Sequence, residues 1–193
     1  MWHNLGMLRT FLSCLLLAAG VLTGAAPAHA TVLRGLSLTQ LCDRSSTIVR
    51  GRVERTEAAW RDGRIYTAVH LRVEASLAGA RRTGETVTFW RLGGEVGNIG
   101  QRVIGAPTFR VGERVIVFLQ RYRGRLFVTG MFQGKVRVLP ATSTAPARVA
   151  PAVSRAVLLG TKRALRRYPA LSTFEAAVRQ LVRTRGQRRR SRP

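Results

Sequence analysis

This chain is short of the residues that catalysis and covalent stapling use. Its 193 residues hold two cysteines, three histidines and nine acids. Two thiols exclude a disulfide-dense scaffold and a cysteine-based zinc module, which need several at pairing or ligand spacings. Lysine is nearly absent too: only Lys135 and Lys162 occur, so almost all the positive charge is arginine. Acids thin out along the chain, and beyond Glu113 only Glu175 faces nineteen basic residues. No apolar run suits a spanning helix of about 20 residues, because FLSCLLLAAGVLTG is soon broken by Gly24 and Pro27.

That run has a different reading. MWHNLGMLR carries Arg9 and no acid, the apolar stretch follows, and AAPAHA ends in Ala28-His29-Ala30. A basic start, a short apolar core and an Ala-x-Ala end make residues 1–30 an export signal cleaved after Ala30, with an uncleaved anchor as the alternative. Cys14 sits inside the apolar core, unlike a lipid-attachment cysteine. Cleavage leaves Cys42 as the single cysteine and His70 as the single histidine of residues 31–193. A lone Cys42 on the inner side of a short helix reads as a small core residue, with pairing between chains as the alternative. The expected location is periplasmic or extracellular.

The formal charge of +24 is extreme. Its arginine bias is what a GC-rich genome produces without functional demand, but codon bias does not remove acids from one half of a chain. The end, RTRGQRRRSRP, carries Arg183, Arg185, Arg188, Arg189, Arg190 and Arg192. Beside an anionic membrane each is worth at most about 1 kcal/mol, so the six form an expected tether rather than a specificity element. Export disfavours nucleic acid as the partner. Anionic lipid, lipopolysaccharide or acidic glycan fit, and so does an unidentified protein partner.

Local patterns place the elements. Ser37 with Gln40 three residues on is a capping box opening a helix over about 38–44. TIVRGRVERTEAAW reads as a strand, RDGR as a hairpin turn on Asp62-Gly63, and IYTAVHLRVEASL as the return strand with Ile65, Thr67, Val69, Leu71 and Val73 inward. GETVTFWRL is a third strand facing the core through Val87 and Phe89. Val115 to Leu119 is apolar on both faces, as a central strand should be. GRLFVTG and GKVRVLP complete six short strands, which predicts a mainly β domain over 31–140, a small barrel or sandwich. Residues 141–193 read as a proline-containing linker, then VSRAVLLGTKRALRRYP as a basic helix broken near Gly160. LSTFEAAVRQLVR follows as a helix with Ser172 as N-cap, Glu175 at the capping-box position, and Phe174, Val178, Leu181 and Val182 along one stripe. That stripe is expected on the barrel, with a membrane-surface helix as the alternative.

GGEVGNIGQRVIGAP, residues 93–107, packs five glycines into fifteen positions. Gly94, Gly97 and Gly100 match neither the dinucleotide pattern nor a P-loop, and no helix is expected after them, so the loop turns a corner. Gly94, Glu95, Asn98, Gly100, Gln101 and Arg102 form a candidate binding rim, since recognition often sits on bent exposed segments. His70 on a polar strand face has no second histidine to help it, and Cys42, His70 and scattered acids do not make a zinc site. No catalytic residue, metal or cofactor is expected.

The runs STIVRGRVERTEAAW, IYTAVHLRVEASLAG, GETVTFW and GAPTFRVGERVIVFL resemble a widespread set of small exported bacterial proteins of uncharacterised function, over roughly residues 37–138. More distantly, IVRGRV, the strand ending in SLAG, and VGERVIVFL resemble netrin-like modules, which include the tissue inhibitors of metalloproteases. That resemblance implies a six-stranded open barrel of the oligonucleotide/oligosaccharide-binding type, with a short N-terminal helix and one or two C-terminal helices. It does not carry the inhibitors' mechanism, because their N-terminal cysteine chelates zinc and this chain should mature at Thr31. The expected function is a non-enzymatic binding module whose basic C-terminus adheres to anionic cell-surface material, with an inhibitor or accessory partner of an exported protease as the alternative.

Overall fold

The structure is a computed structural model that describes residues 33–151, 158–159 and 169–190. The signal at 1–30 and Arg192 of the tail lie outside them. In chain order the elements are β1 (Leu33–Arg34), α1 (Leu38–Arg44), β2 (Thr47–Arg61), β3 (Arg64–Ala78), β4 (Thr86–Leu92), β5 (Gly94–Val96), β6 (Ile99–Gln101), β7 (Arg114–Tyr122) and β8 (Arg125–Val128). A short 3-10 turn at Met131–Gly134 leads into β9 (Lys135–Leu139), β10 (Arg148–Pro151), β11 (Leu158–Leu159) and α2 (Leu171–Arg190). The described chain is mainly β.

Helix α1 starts where its capping box puts it. Ser37 Oγ accepts from the Gln40 N–H at 3.2 Å, and Gln40 Oε1 accepts from the Ser37 N–H at 2.9 Å, satisfying two otherwise orphaned donors. The long hairpin of β2 and β3 turns on Asp62 and Gly63, both with positive φ (49° and 71°), which matches the twist of the flanking strands.

Seven strands form one sheet in the order β10-β9-β7-β2-β3-β4-β8, and β8 also pairs with β7. The pairings β7–β2–β3–β4–β8–β7 therefore run in a circuit. Its weakest link is a single parallel pair, Trp90 with Phe127, between β4 and β8. Alternation divides the sheet's side chains between two apolar clusters. Val49, Val69, Leu71, Phe89, Val115 and Val117 belong to the inner one. Ile48, Ile116, Phe118, Val136, Val138 and Val149 face the other side, where Leu41 and Cys42 of α1 and Val178 of α2 cover them. Strand β7 contributes to both clusters, which is why 115–119 is apolar without interruption.

Several expectations need correction. The segment taken as a linker contains β10, which pairs antiparallel with β9, making the main sheet seven-stranded. A turn in which the Thr142 N–H donates to the Ala145 carbonyl at 2.8 Å folds the chain back, and burial of Val149 and Ala150 holds it there. Pro151 is tolerated because β10 is an edge strand that it terminates. Within the stretch read as a basic helix, Leu158–Leu159 is a strand paired parallel with β1, and most of the rest lies outside the described residues. Helix α2 begins at Leu171, so Ser172 lies in its first turn and is not the N-cap. The chain enters α2 already paired: Ala170 bridges Arg148, and the Leu171 N–H donates to the Ala147 carbonyl at 2.8 Å. The apolar stripe of α2 packs on the sheet as expected, with Val178 fully buried and Phe174, Leu181 and Val182 partly so.

Candidate functional site

The two helices cover only part of the sheet's outer side. The outward rows of β3, β4 and β8 are left carrying Tyr66, His70, Thr88, Trp90, Arg125 and Phe127. Aromatic rings meet there because the strands bring them into register. The backbones of Trp90 and Phe127 pair across β4 and β8, and Tyr66 and Tyr122 both stand edge-on to the Phe127 ring, with centroids 6.4 and 6.3 Å away. Arginines lie over the rings. The Arg61 guanidinium is 4.8 Å from the Trp90 centroid, that of Arg125 is 5.2 Å from it, and that of Arg123 is 5.4 Å from Tyr122. Two turns supply them: Arg61 precedes Asp62-Gly63, and Arg123 and Arg125 flank Gly124.

Charge on this side is divided. Toward the middle of the long hairpin, carboxylates neutralise the arginines: Glu54 meets Arg72 at 2.8 Å and Glu57 meets Arg55 at 2.9 Å. Glu54 is held below the ordinary carboxylate value by the hydrogen bond from Arg72, which outweighs an opposing desolvation. At the hairpin end the balance stops. Among the described residues no carboxylate pairs with Arg61, Arg64, Arg123 or Arg125. Arg61 and Arg64 even stand opposite one another in the ladder, an arrangement of like charges that disfavours the hairpin unless something anionic meets it.

His70 sits between these zones. Its Nδ1 is 3.0 Å from Thr88 Oγ1, while Glu57 Oε2 lies 3.6 Å from Nε2, beyond hydrogen-bond reach. Arg55 also faces that nitrogen at 3.5 Å. The ring is braced on an open sheet face between a hydroxyl and a guanidinium. Among the described residues no three His, Cys, Asp or Glu side chains come together to hold a metal, and no helix is long and apolar enough to cross a membrane.

The glycine-rich loop is a small hairpin, β5 with β6, turning at Gly97-Asn98. Glu95, Asn98, Gly100 and Arg102 are exposed along it, so these rim residues do lie together on one short hairpin. Gln101 is used by the fold: its Oε1 accepts from the Ile65 N–H at 2.6 Å. Gly94 is pressed against β2 and β3, where a Cβ would meet Thr67 Oγ1 at 2.5 Å. Beside this hairpin the inner row of β4 ends in Arg91, whose Nε is buried without a hydrogen-bond partner. Burial lowers the Arg91 pKa, and the charge of Glu95 opposes that.

The C-terminal arginines divide as well. Arg183 is exposed on α2, and Arg188 is exposed there while engaged with the rest of the chain. Arg189 and Arg190 continue the helix by their backbone. Arg185 points inward. Its Nη1 donates to the carbonyls of Cys42 (2.6 Å), Ser45 (2.7 Å) and Asp43 (3.5 Å), closing the C-terminal end of α1, where such oxygens lack helical partners. Glu175 is occupied too: Arg50 donates to it at 2.7 Å and to Glu74 at 2.9 Å, and Arg114 grips Glu74 at 2.7 Å. This chain of charges ties α2 to β2, β3 and β7.

Sequence reasoning missed the aromatic-arginine face. Its residues are scattered over 61–66, 90 and 122–127, and what joins them is the β4–β8 contact, which no local pattern announces. No known family model matches the chain, and no curated protein matches it.

Proposed function

We propose that the protein is an exported, non-enzymatic binding module that adheres to anionic cell-surface material. Its scaffold is an open barrel of the oligonucleotide/oligosaccharide-binding type, a reading supported by the strand circuit β7–β2–β3–β4–β8–β7 and its one parallel link. The sequence resemblance to small exported bacterial proteins, and more distantly to netrin-like modules, points the same way. One observation carries the functional reading: guanidinium groups lie over aromatic rings at one end of a sheet, and among the described residues no carboxylate pairs with them. Groups held so are oriented before any partner arrives, which lowers the ordering cost of binding. The exposed arginines of α2 add a second, less specific attraction. Inhibition of an exported protease is the alternative reading, resting on the netrin-like resemblance.

The test uses residues 31–193 with phosphatidylglycerol vesicles and lipopolysaccharide across a salt series. A variant neutralising Arg183, Arg189, Arg190 and Arg192 keeps Arg185 for the fold. Cutting the chain at 140 would not serve, because Val149 and Val178 belong to the buried core. Strong binding that falls steeply with salt supports the reading. Failure to bind either material at low salt overturns it.

A further inference from the structure

We infer that Arg61, Trp90 and Arg125, with Tyr122 and Arg123 beside them, form a site for an acidic oligosaccharide. This rests on the reading of the chain as an anion-binding module and specifies which ligand and which residues.

Three guanidinium groups over two neighbouring rings favour a polyanion over a single small ion. The Arg61 and Arg125 guanidinium carbons both lie over one indole, so they are at most about 10 Å apart, the sum of their distances to its centroid. Each presents a planar fork of N–H donors suited to a carboxylate or sulfate, and contact with the ring restricts where that fork can go. Two forks beside one ring, neither paired with a carboxylate among the described residues, offer two contacts to the acidic groups of one chain. Arg123 over Tyr122 extends the row.

Two competitors fit the rings less well. Single-stranded nucleic acid is held by bases stacking on open aromatic faces, but guanidinium groups lie over Trp90 and Tyr122 here. Membrane insertion needs a cluster of protruding apolar side chains, whereas Tyr66, Trp90 and Phe127 are half-buried in the sheet surface and the exposed Tyr122 has the Arg123 guanidinium over its ring. A sugar chain needs neither. Its acidic groups take the guanidinium edges, and its hydroxyls reach the polar flank at His70 and Thr88.

The experiment measures binding of residues 31–193 to an oligogalacturonate, a neutral maltooligosaccharide, oligothymidylate and phosphatidylglycerol vesicles at one salt concentration. Arg61→Gln with Arg125→Gln is the main variant, and Trp90→Leu removes the stacking surface without removing charge. Melting temperature monitors folding, and both arginines are exposed, so the double variant should melt as the wild type does. The expected result is binding of oligogalacturonate and not of maltooligosaccharide. Affinity should fall about tenfold for each arginine removed, with vesicle binding retained through α2. Trp90→Leu should weaken the oligogalacturonate although the net charge is unchanged. Unaltered oligogalacturonate affinity in the double variant would overturn the site and leave the proposed function standing. So would a wild-type protein that binds vesicles or oligothymidylate but not oligogalacturonate. A wild-type protein that binds no polyanion would remove both.

Discussion

Replacing Arg185 by glutamine takes a cation away from three carbonyls at once, those of Cys42, Asp43 and Ser45. Two of the bonds are short, at 2.6 and 2.7 Å, and the residues that accept them, Cys42 and Ser45, are 0% and 2% exposed. A hydrogen bond to a charged group contributes about 1.5–3 kcal/mol, and the Cys42 carbonyl keeps the Ser45 N–H at 3.3 Å as a second donor when the guanidinium is gone. Arg185 itself is half-exposed, so water can refill part of the gap and the smaller figures apply. The loss should come to about 2–3 kcal/mol. At about 2–4 °C per kcal/mol for a domain of this size, that lowers the melting temperature by roughly 4–12 °C. Circular dichroism melts and urea titrations of residues 31–193 measure it. Arg183→Gln, two positions away on the exposed side of α2, removes the same charge and should stay within about 0.5 kcal/mol of wild type. If the two variants melt together, Arg185 contributes only net charge and the capping argument is wrong.

Glu74 predicts an acid sensitivity. Desolvation pushes its pKa up, but the hydrogen bond and charge of Arg114, with the charges of Arg50 and Arg52, hold it below the ordinary 4.5. A carboxyl depressed in the folded state contributes stability that is complete above pH 4.5 and is lost as pH falls through the lower folded value. The drop in urea midpoint between pH 7 and pH 3 should therefore shrink in Glu74→Gln. The glycine hairpin predicts a contrast: Gly94→Ala places a Cβ 2.5 Å from Thr67 Oγ1 at a φ of +148° and should cost about 2 kcal/mol or more, whereas Gly100→Ala meets only Glu95 Cγ at 3.5 Å and should be nearly neutral in the same melts. Burial, with Asp43 adding to it, pushes the Cys42 thiol up to about 11. It should resist a thiol reagent at pH 8 in the folded protein and react fully in urea, and fast labelling without denaturant would contradict that burial.

Much of the scaffold was legible because its signals are local. Ser37 and Gln40 satisfy backbone groups within one helical turn, Asp62-Gly63 supplies the positive φ that the hairpin needs, and the inward row from Ile65 to Val73 has the period of a strand. Strand β10 was not legible. Prolines and small residues around RVAP carry a loop signal, and only the partner strand β9 and the burial of Val149 override it. The start of α2 was misplaced for a similar reason: Ser172 and Glu175 have capping-box spacing, but the chain entering from Ala170 is held by strand β10.

The sequence by itself determined the alternation of faces, the capping of α1, the turn of the long hairpin and the excess of arginine over acid. Each depends on residues within a few positions of one another or on composition alone. Tertiary structure decided what the arginines do. Arg185, read from its neighbours as part of a basic tail, is drawn inward because α2 packs across the end of α1 and presents it to carbonyls some 140 positions earlier. Arg61 and Arg125, unremarkable in sequence, gain an orienting surface because β4 and β8 meet at Trp90 and Phe127. A guanidinium group acts through whatever lies within a few ångströms, and over separations of that length only the fold chooses the neighbour.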